Sequence, residues 1–151
     1  DLGQPLEVVS EINLHAPALL PNDYCSDVQE RLTLYKRLAN CEGEDELRDI
    51  QEELIDRFGE MPAQAKTLLE THRLRLLVKP YGVAKMDASE TQISVQFGPA
   101  ANIDPVKVIM LIQKDRNTKM SGPDKLVRKI ATPDLKMRVA AVKELLEAVK
   151  G

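Results

Sequence analysis

Between Glu42 and Glu60 the chain carries nine carboxylates, at positions 42, 44, 45, 46, 49, 52, 53, 56 and 60, against two bases, Arg48 and Arg57. The local charge is −7, in a protein whose formal total is −3. The chemistry open to such a run is electrostatic: recognition of a basic surface, or plain solvation. Read at a helical period, Leu47, Ile50, Leu54 and Phe58 fall on one side, at spacings of 3, 4 and 4. Asp45, Glu46, Asp49, Glu52, Glu53 and Asp56 then point the other way. Glu46, Asp49 and Glu53 line up at i, i+3 and i+7 with no lysine to pair them, and each like-charge neighbour costs about 0.2–0.5 kcal/mol in an isolated helix. The residues alone leave a docking face and a solvated face both open.

The opposite sign dominates later. From Lys114 to Lys150 there are ten bases against five acids, and Lys125, Arg128 and Lys129 could touch phosphates. No aromatic residue interleaves with them to stack bases, so a solvated or internally paired face is the simpler reading. His72 falls on the apolar side of its helix with no second His, Cys or paired acid beside it, and reads as a hydrogen-bonded packing residue. Cys25 and Cys41 flank one predicted helix that would hold them about 24 Å apart, too far to bond. No Cys-x-x-Cys or His-x-x-x-His spacing offers a metal site, and no glycine-rich phosphate loop occurs. The expectation is a non-catalytic chain without metal or cofactor.

The elements that must position these groups follow from the pattern. Leu6 to Ala16 alternates as a strand, after a linker remnant over residues 1–5 that opens on Asp1, the start of a fragment. Asn22 or Asp23 caps a first helix running to about Asn40, with Val28, Leu32, Tyr35 and Leu38 on its apolar side. The acidic helix comes second. A corner follows at Asp56-Arg57-Phe58-Gly59-Glu60-Met61-Pro62, where Gly59 suits the left-handed position past a helix end and Pro62 suits the first turn of the next. The third helix buries Ala65, Leu68, Leu69, His72, Leu76 and Leu77 and ends at Pro80-Tyr81-Gly82.

After Gly82 the period becomes twofold. Val83 to Asp87 and Thr91 to Phe97 read as a hairpin, and Asn102 or Asp104 caps a helix, Val106 to Lys114, that is apolar nearly all round and should be central. Lys119 to Ser121 and Lys125 to Ile130 flank a Gly122-Pro123-Asp124 turn. Thr132-Pro133-Asp134 opens a last helix with a stripe of Leu135, Val139, Val142, Leu145, Leu146 and Val149. The order predicts an α+β fold, in which an N-terminal strand and helical hairpin pack with antiparallel hairpins and a long amphipathic C-terminal helix. Residues 6–151 are expected to form one domain, near the size at which a chain buries about two thirds of its unfolded surface. With a pI near 5.5 there is no global pull toward nucleic acid, and no apolar run is long enough to span a membrane.

Three segments also resemble a known family. Asp-Arg-Phe-Gly-Glu-Met-Pro at 56–62, Glu53-Leu54-Ile55 before it, and Leu20-Pro21-Asn22-Asp23-Tyr24 leading into Arg31 to Leu38 are similar to the C-terminal domain of bacterial transcription-repair coupling factor. The resemblance runs from about Glu11 to Val142. It implies a regulatory domain of an ATP-driven DNA translocase; with no secretory signal and no long apolar run, the chain itself is expected to be cytoplasmic, and a monomer. Such a domain would dock on the factor's own UvrB-like module, mask the surface that binds UvrA, and restrain the motor until stalled RNA polymerase is engaged. It implies a docking role for Asp45, Glu46, Asp49, Glu52 and Glu53. The rival expectation is an accessory nucleic-acid-binding domain using the basic C-terminal half.

Overall fold

A computed structural model describes residues 10–151. The linker expected at 1–5 and the part of the expected Leu6–Ala16 strand before Ser10 lie outside the described residues; within them the strand is only Glu11–Asn13 and does not reach Ala16. Five strands and five α-helices follow in chain order: β1 (Glu11–Asn13), α1 (Val28–Ala39), α2 (Glu44–Phe58), α3 (Ala63–Val78), β2 (Val83–Ala88), β3 (Gln92–Phe97), α4 (Pro105–Lys114), β4 (Thr118–Met120), β5 (Lys125–Lys129) and α5 (Leu135–Val149). This is the α+β order expected, with a short 3₁₀ turn, Lys79–Tyr81, added after α3.

The strands form one sheet in the order β1-β2-β3-β5-β4. Every pair is antiparallel except β1 with β2, which run parallel because three helices intervene between them. Alternation along β3 sends Ile93, Val95 and Phe97 inward and leaves Gln92, Ser94 and Gln96 on the other face. The inward residues join Met86, Leu126, Val142, Leu145 and Leu146 in a core between the sheet and α5. A second core, around Leu34, Leu38, Leu47, Leu54 and Leu69, holds α1, α2 and α3 together. Helix α3 joins the two: Ala65, Leu68 and Leu69 enter the helical core and Leu74 and Val78 the sheet core. Its apolar residues therefore spread round the helix, and Leu76, Leu77 and His72 of the predicted stripe are only half-buried.

Three local expectations are corrected. Helix α1 starts five or four residues later than a cap at Asn22 or Asp23 would place it, because Pro21 to Cys25 closes a turn of its own and Asp27 accepts the Gln29 N–H at 2.8 Å. Its docked stripe is Arg31, Leu34, Tyr35 and Leu38, while Val28 and Leu32 are exposed. Pro62 is the N-cap residue of α3 rather than a residue of its first turn. Helix α4 is peripheral: it lies against α5 and the edge strand β4 through Val108, Leu111 and Ile112, and its other apolar residues face outward. An all-apolar helix was read as a buried one, but a single packed side suffices here.

The turn into β2 requires glycine. Gly82 has φ +70°, and a Cβ there would sit 2.7 Å from the Ala101 Cα.

Candidate partner-docking face

Helix α2 starts at Glu44 after the N-cap residue Gly43, which offers no capping side chain, and Glu44, Asp45 and Glu46 place negative charge at its positive end. Leu47, Ile50 and Leu54 are buried, so the opposite side faces solvent. The structure divides the predicted carboxylates into two groups. One is used internally. Glu53 receives Arg37 through two hydrogen bonds of 2.7 and 3.0 Å and Arg57 at 3.1 Å, and Arg57 also reaches Glu30. The Arg37 hydrogen bonds hold the Glu53 carboxyl below its ordinary range against the opposing effect of burial, with Arg57 adding to them. Glu46 accepts the Glu42 N–H at 3.2 Å, and Glu44 takes Arg73 at 2.9 Å.

The expectation of an unpaired Glu46, Asp49 and Glu53 row therefore fails at Glu53, whose partners are arginines from α1 and from one turn further along α2. Among the described residues, Asp49, Glu52 and Asp56 have no hydrogen-bonded or ionic partner, and Asp45 has only Arg48 at 3.8 Å with its side chain 96% exposed. Asp45, Asp49, Glu52 and Asp56 follow one another at spacings of 4, 3 and 4 and form one row opposite the buried stripe. This row can offer counter-charge to a basic surface without first breaking an internal pair.

The corner that ends α2 is built as a fixed support. Gly59 adopts φ +89° and ψ −163°, not the left-handed helical position expected but an extended conformation that is also essentially confined to glycine. Tyr24 donates its hydroxyl to the carbonyls of Leu54 and Gly59 at 3.1 and 2.9 Å, and its ring lies 5.6 Å from that of Phe58. The Arg57 guanidinium sits 4.9 Å from the centre of the Phe58 ring. Asp56 takes no part in this corner and belongs to the free row. Sequence reasoning named Tyr24 only within the Leu20–Tyr24 segment and gave it no role; its hydroxyl can only be matched to these carbonyls once α1 is folded against α2.

A cleft of about 980 Å³ opens between the α2–α3 corner and α5, lined by apolar Ile55, Met61, Leu69, Leu135 and Val139. Ile55 follows directly on the acidic side and is 45% exposed. No sequence pattern announces this cleft, since it depends on where α5 docks.

The predicted phosphate contacts separate. Arg128 points inward and is 9% exposed, with Nε donating to Asp115 at 3.1 Å and to Thr118 at 3.0 Å. The Asn117 backbone N–H first, then the Thr118 hydroxyl and Arg128, keep the Asp115 carboxyl below its usual value. Lys125 and Lys129 stand on the opposite, open side of the sheet, where Lys85, Gln92, Ser94 and Gln96 give a polar and partly acidic surface with Asp87. Arg128 is thus withdrawn from phosphate contact because register pairs it with Ile93 on the core side.

Both thiols are buried and free, and burial pushes each above its ordinary value. Among the described residues there is no cluster of three or more His, Cys, Asp or Glu placed to hold a metal, and no helix long and apolar enough to cross a membrane.

Comparison with known proteins adds a family. The profile described as TRCF domain matches residues 14–108. The chain is 41% identical over 141 residues to the transcription-repair-coupling factor of Haemophilus influenzae and 34% identical over 142 residues to that of Escherichia coli. Each match covers 93% of this chain and 12% of the relative, so the chain spans about an eighth of those proteins. A solved structure, the crystal structure of the C-terminal domain of a transcription-repair coupling factor, superposes with a TM-score of 0.74 over 92% of this chain and 90% of that one. At 23% identity it supports the fold.

Proposed function

The chain belongs to the TRCF-domain family of transcription-repair coupling factors, and on that premise we propose that it is a non-catalytic regulatory domain that docks on the UvrB-like module of its own parent chain. Docked there, it covers the surface that receives UvrA and restrains the motor until stalled RNA polymerase is engaged. The observation that carries this reading is the exposed row Asp45, Asp49, Glu52 and Asp56, in which only Asp45 has an ionic partner, Arg48 at 3.8 Å, on a helix whose Glu44 and Glu53 are paired with arginines. Four like charges in one row repel one another, and a basic partner surface relieves that repulsion.

The chemistry also suits reversibility. Exposed ion pairs contribute about 0.2–1 kcal/mol each, so a charged rim closes a domain mainly when the partner is tethered and its effective concentration is high. A competing partner can then displace it. The stiff α2–α3 corner keeps the row on a rigid helix, which lowers the ordering cost of closure.

The test uses the full-length coupling factor. Asp49→Ala with Glu52→Ala should increase UvrA binding in the absence of polymerase, and raising salt should imitate the change in the wild type, because exposed charges are screened within about 10 Å at 0.1 M salt. Unchanged UvrA binding by a correctly folded double variant would make the row a solvated face.

A further inference from the structure

We propose that the outward face of α4 is a second docking site, one that receives an acidic amphipathic helix from a partner protein. It stands apart from the acidic row of α2 and does not rest on the function proposed above. Val106, Ile109 and Met110 are 61, 56 and 62% exposed and lie at i, i+3 and i+4 on one helix of ten residues. Scattered exposed apolar side chains are ordinary, but three side by side form a patch. Met120, also exposed, is on the same side of the sheet, paired with inward-facing Leu126 on the edge strand.

The charge on α4 itself has one sign. Helix α4 contains Lys107 and Lys114 and no acid. A shallow groove of about 600 Å³ between α4 and α5 is lined by Lys107, Met110, Leu111, Gln113, Lys114 and Ala148, with no carboxylate. Lys107 donates to the Lys150 carbonyl at 2.9 Å, which fixes the ammonium at one edge without neutralising it. Of the neighbouring acids, Asp104 accepts the Val106 N–H and Asp115 holds Arg128 and Thr118, while Glu144 and Glu147 are exposed on α5 and do not line the groove.

An apolar floor with lysines at its edge fits a helix that carries apolar residues at i, i+3, i+4 and i+7 and carboxylates on both sides of them. A groove between two helices is also the place where a third helix packs, by setting its ridges into theirs. Nucleic acid fits poorly, because two lysines and no aromatic side chain give neither a phosphate track nor a stacking surface. The family profile ends at Val108, so Ile109 and Met110 lie beyond it.

The probe is a fluorescein-labelled synthetic helix of roughly 16 residues, long enough to hold helical structure, with leucines at i, i+3, i+4 and i+7 and glutamates flanking them. Its twin has lysine at each glutamate. By anisotropy at low salt the acidic peptide should saturate with Kd of about 100 μM or tighter, and the lysine twin should bind about tenfold more weakly or worse. Ile109→Glu with Met110→Glu should remove the binding, and Lys107→Glu with Lys114→Glu should reverse the preference between the twins. All four positions are exposed, so melting should barely move; Asp49→Ala with Glu52→Ala should bind the peptide as the wild type does. Equal binding of the twins, indifference to the α4 variants, or no saturation by the acidic peptide would overturn the proposal. So would patch-dependent binding to anionic phospholipid vesicles without peptide binding, or patch-dependent self-association in sedimentation.

Discussion

The Tyr24 hydroxyl lies 2.9 Å from the carbonyl oxygen of Gly59 and 3.1 Å from that of Leu54, so one phenol spans the end of α2 and the residue that turns the chain into α3. The Gly59 carbonyl lies past the last turn of α2 and has no partner within the helix; a residue from ahead of α1 supplies its donor and also reaches the Leu54 carbonyl inside the helix. Tyr24→Phe keeps the ring contact with Phe58 and removes only the donor. It should destabilise the protein by about 0.5–1.5 kcal/mol, the net worth of a typical hydrogen bond, in denaturant melts with an unchanged m-value.

Gly59 gives a sharper outcome. No atom lies within 4 Å of a Cβ built there, so any cost of a side chain arises in the backbone and not from a clash. Gly59→Ala should therefore cost about 1–3 kcal/mol through its φ of +89°. A loss close to zero would show that the corner can relax to another conformation.

Leu54 is fully buried between α1, α2 and α3. Leu54→Ala should cost about 2–5 kcal/mol, whereas Val28→Ala, at a site 57% exposed, should cost less than about 0.5 kcal/mol. Both are read by the same melts.

Much of this was legible before any coordinates, and the failures have physical reasons. Element order, Asp104 as one of two candidate caps, and the glycine at the α2–α3 corner depend on local chemistry, which short stretches carry; the last helix, by contrast, is capped by Asp134 after Pro133 and not by a residue ahead of it. The α1 stripe differs because Val28 and Leu32 are apolar at the right period, yet the helix docks through Leu34 and Leu38, with Arg31 on the Cys25 carbonyl beside them. Helix α4 was placed centrally because composition reports how apolar a helix is but not how many neighbours it meets. At the site, an acidic side to α2 could be read directly. Which acids remain free could not, because Glu53 is claimed by Arg37, sixteen residues away, and Arg128 by Asp115 across a register that only the folded sheet defines.

His72 supplies a pH dependence. Its Nδ1 accepts from Arg75 Nε at 3.4 Å, and burial first, with the Arg75 charge second, lowers its pKa from the ordinary 6.5. The unfolded chain then binds the proton more readily than the folded one, so stability rises with pH across this window. The contribution of His72 is present above about pH 6.5 and is lost as pH falls below it toward the lower folded value. His72→Gln should flatten the slope of unfolding free energy between pH 7.5 and pH 5.5, as measured by urea melts at each pH.

The central claim is that the free row on α2 closes this domain onto a basic surface of its parent. The most direct measurement is calorimetric titration of the 151-residue chain into the remainder of the coupling factor lacking it, at two salt concentrations. The account predicts binding that weakens as salt rises from about 0.05 to 0.3 M. It also predicts a further loss of about two- to thirtyfold for Asp49→Ala with Glu52→Ala, from about 0.2–1 kcal/mol for each of two exposed pairs. Binding that ignores both the salt and the two substitutions would contradict it.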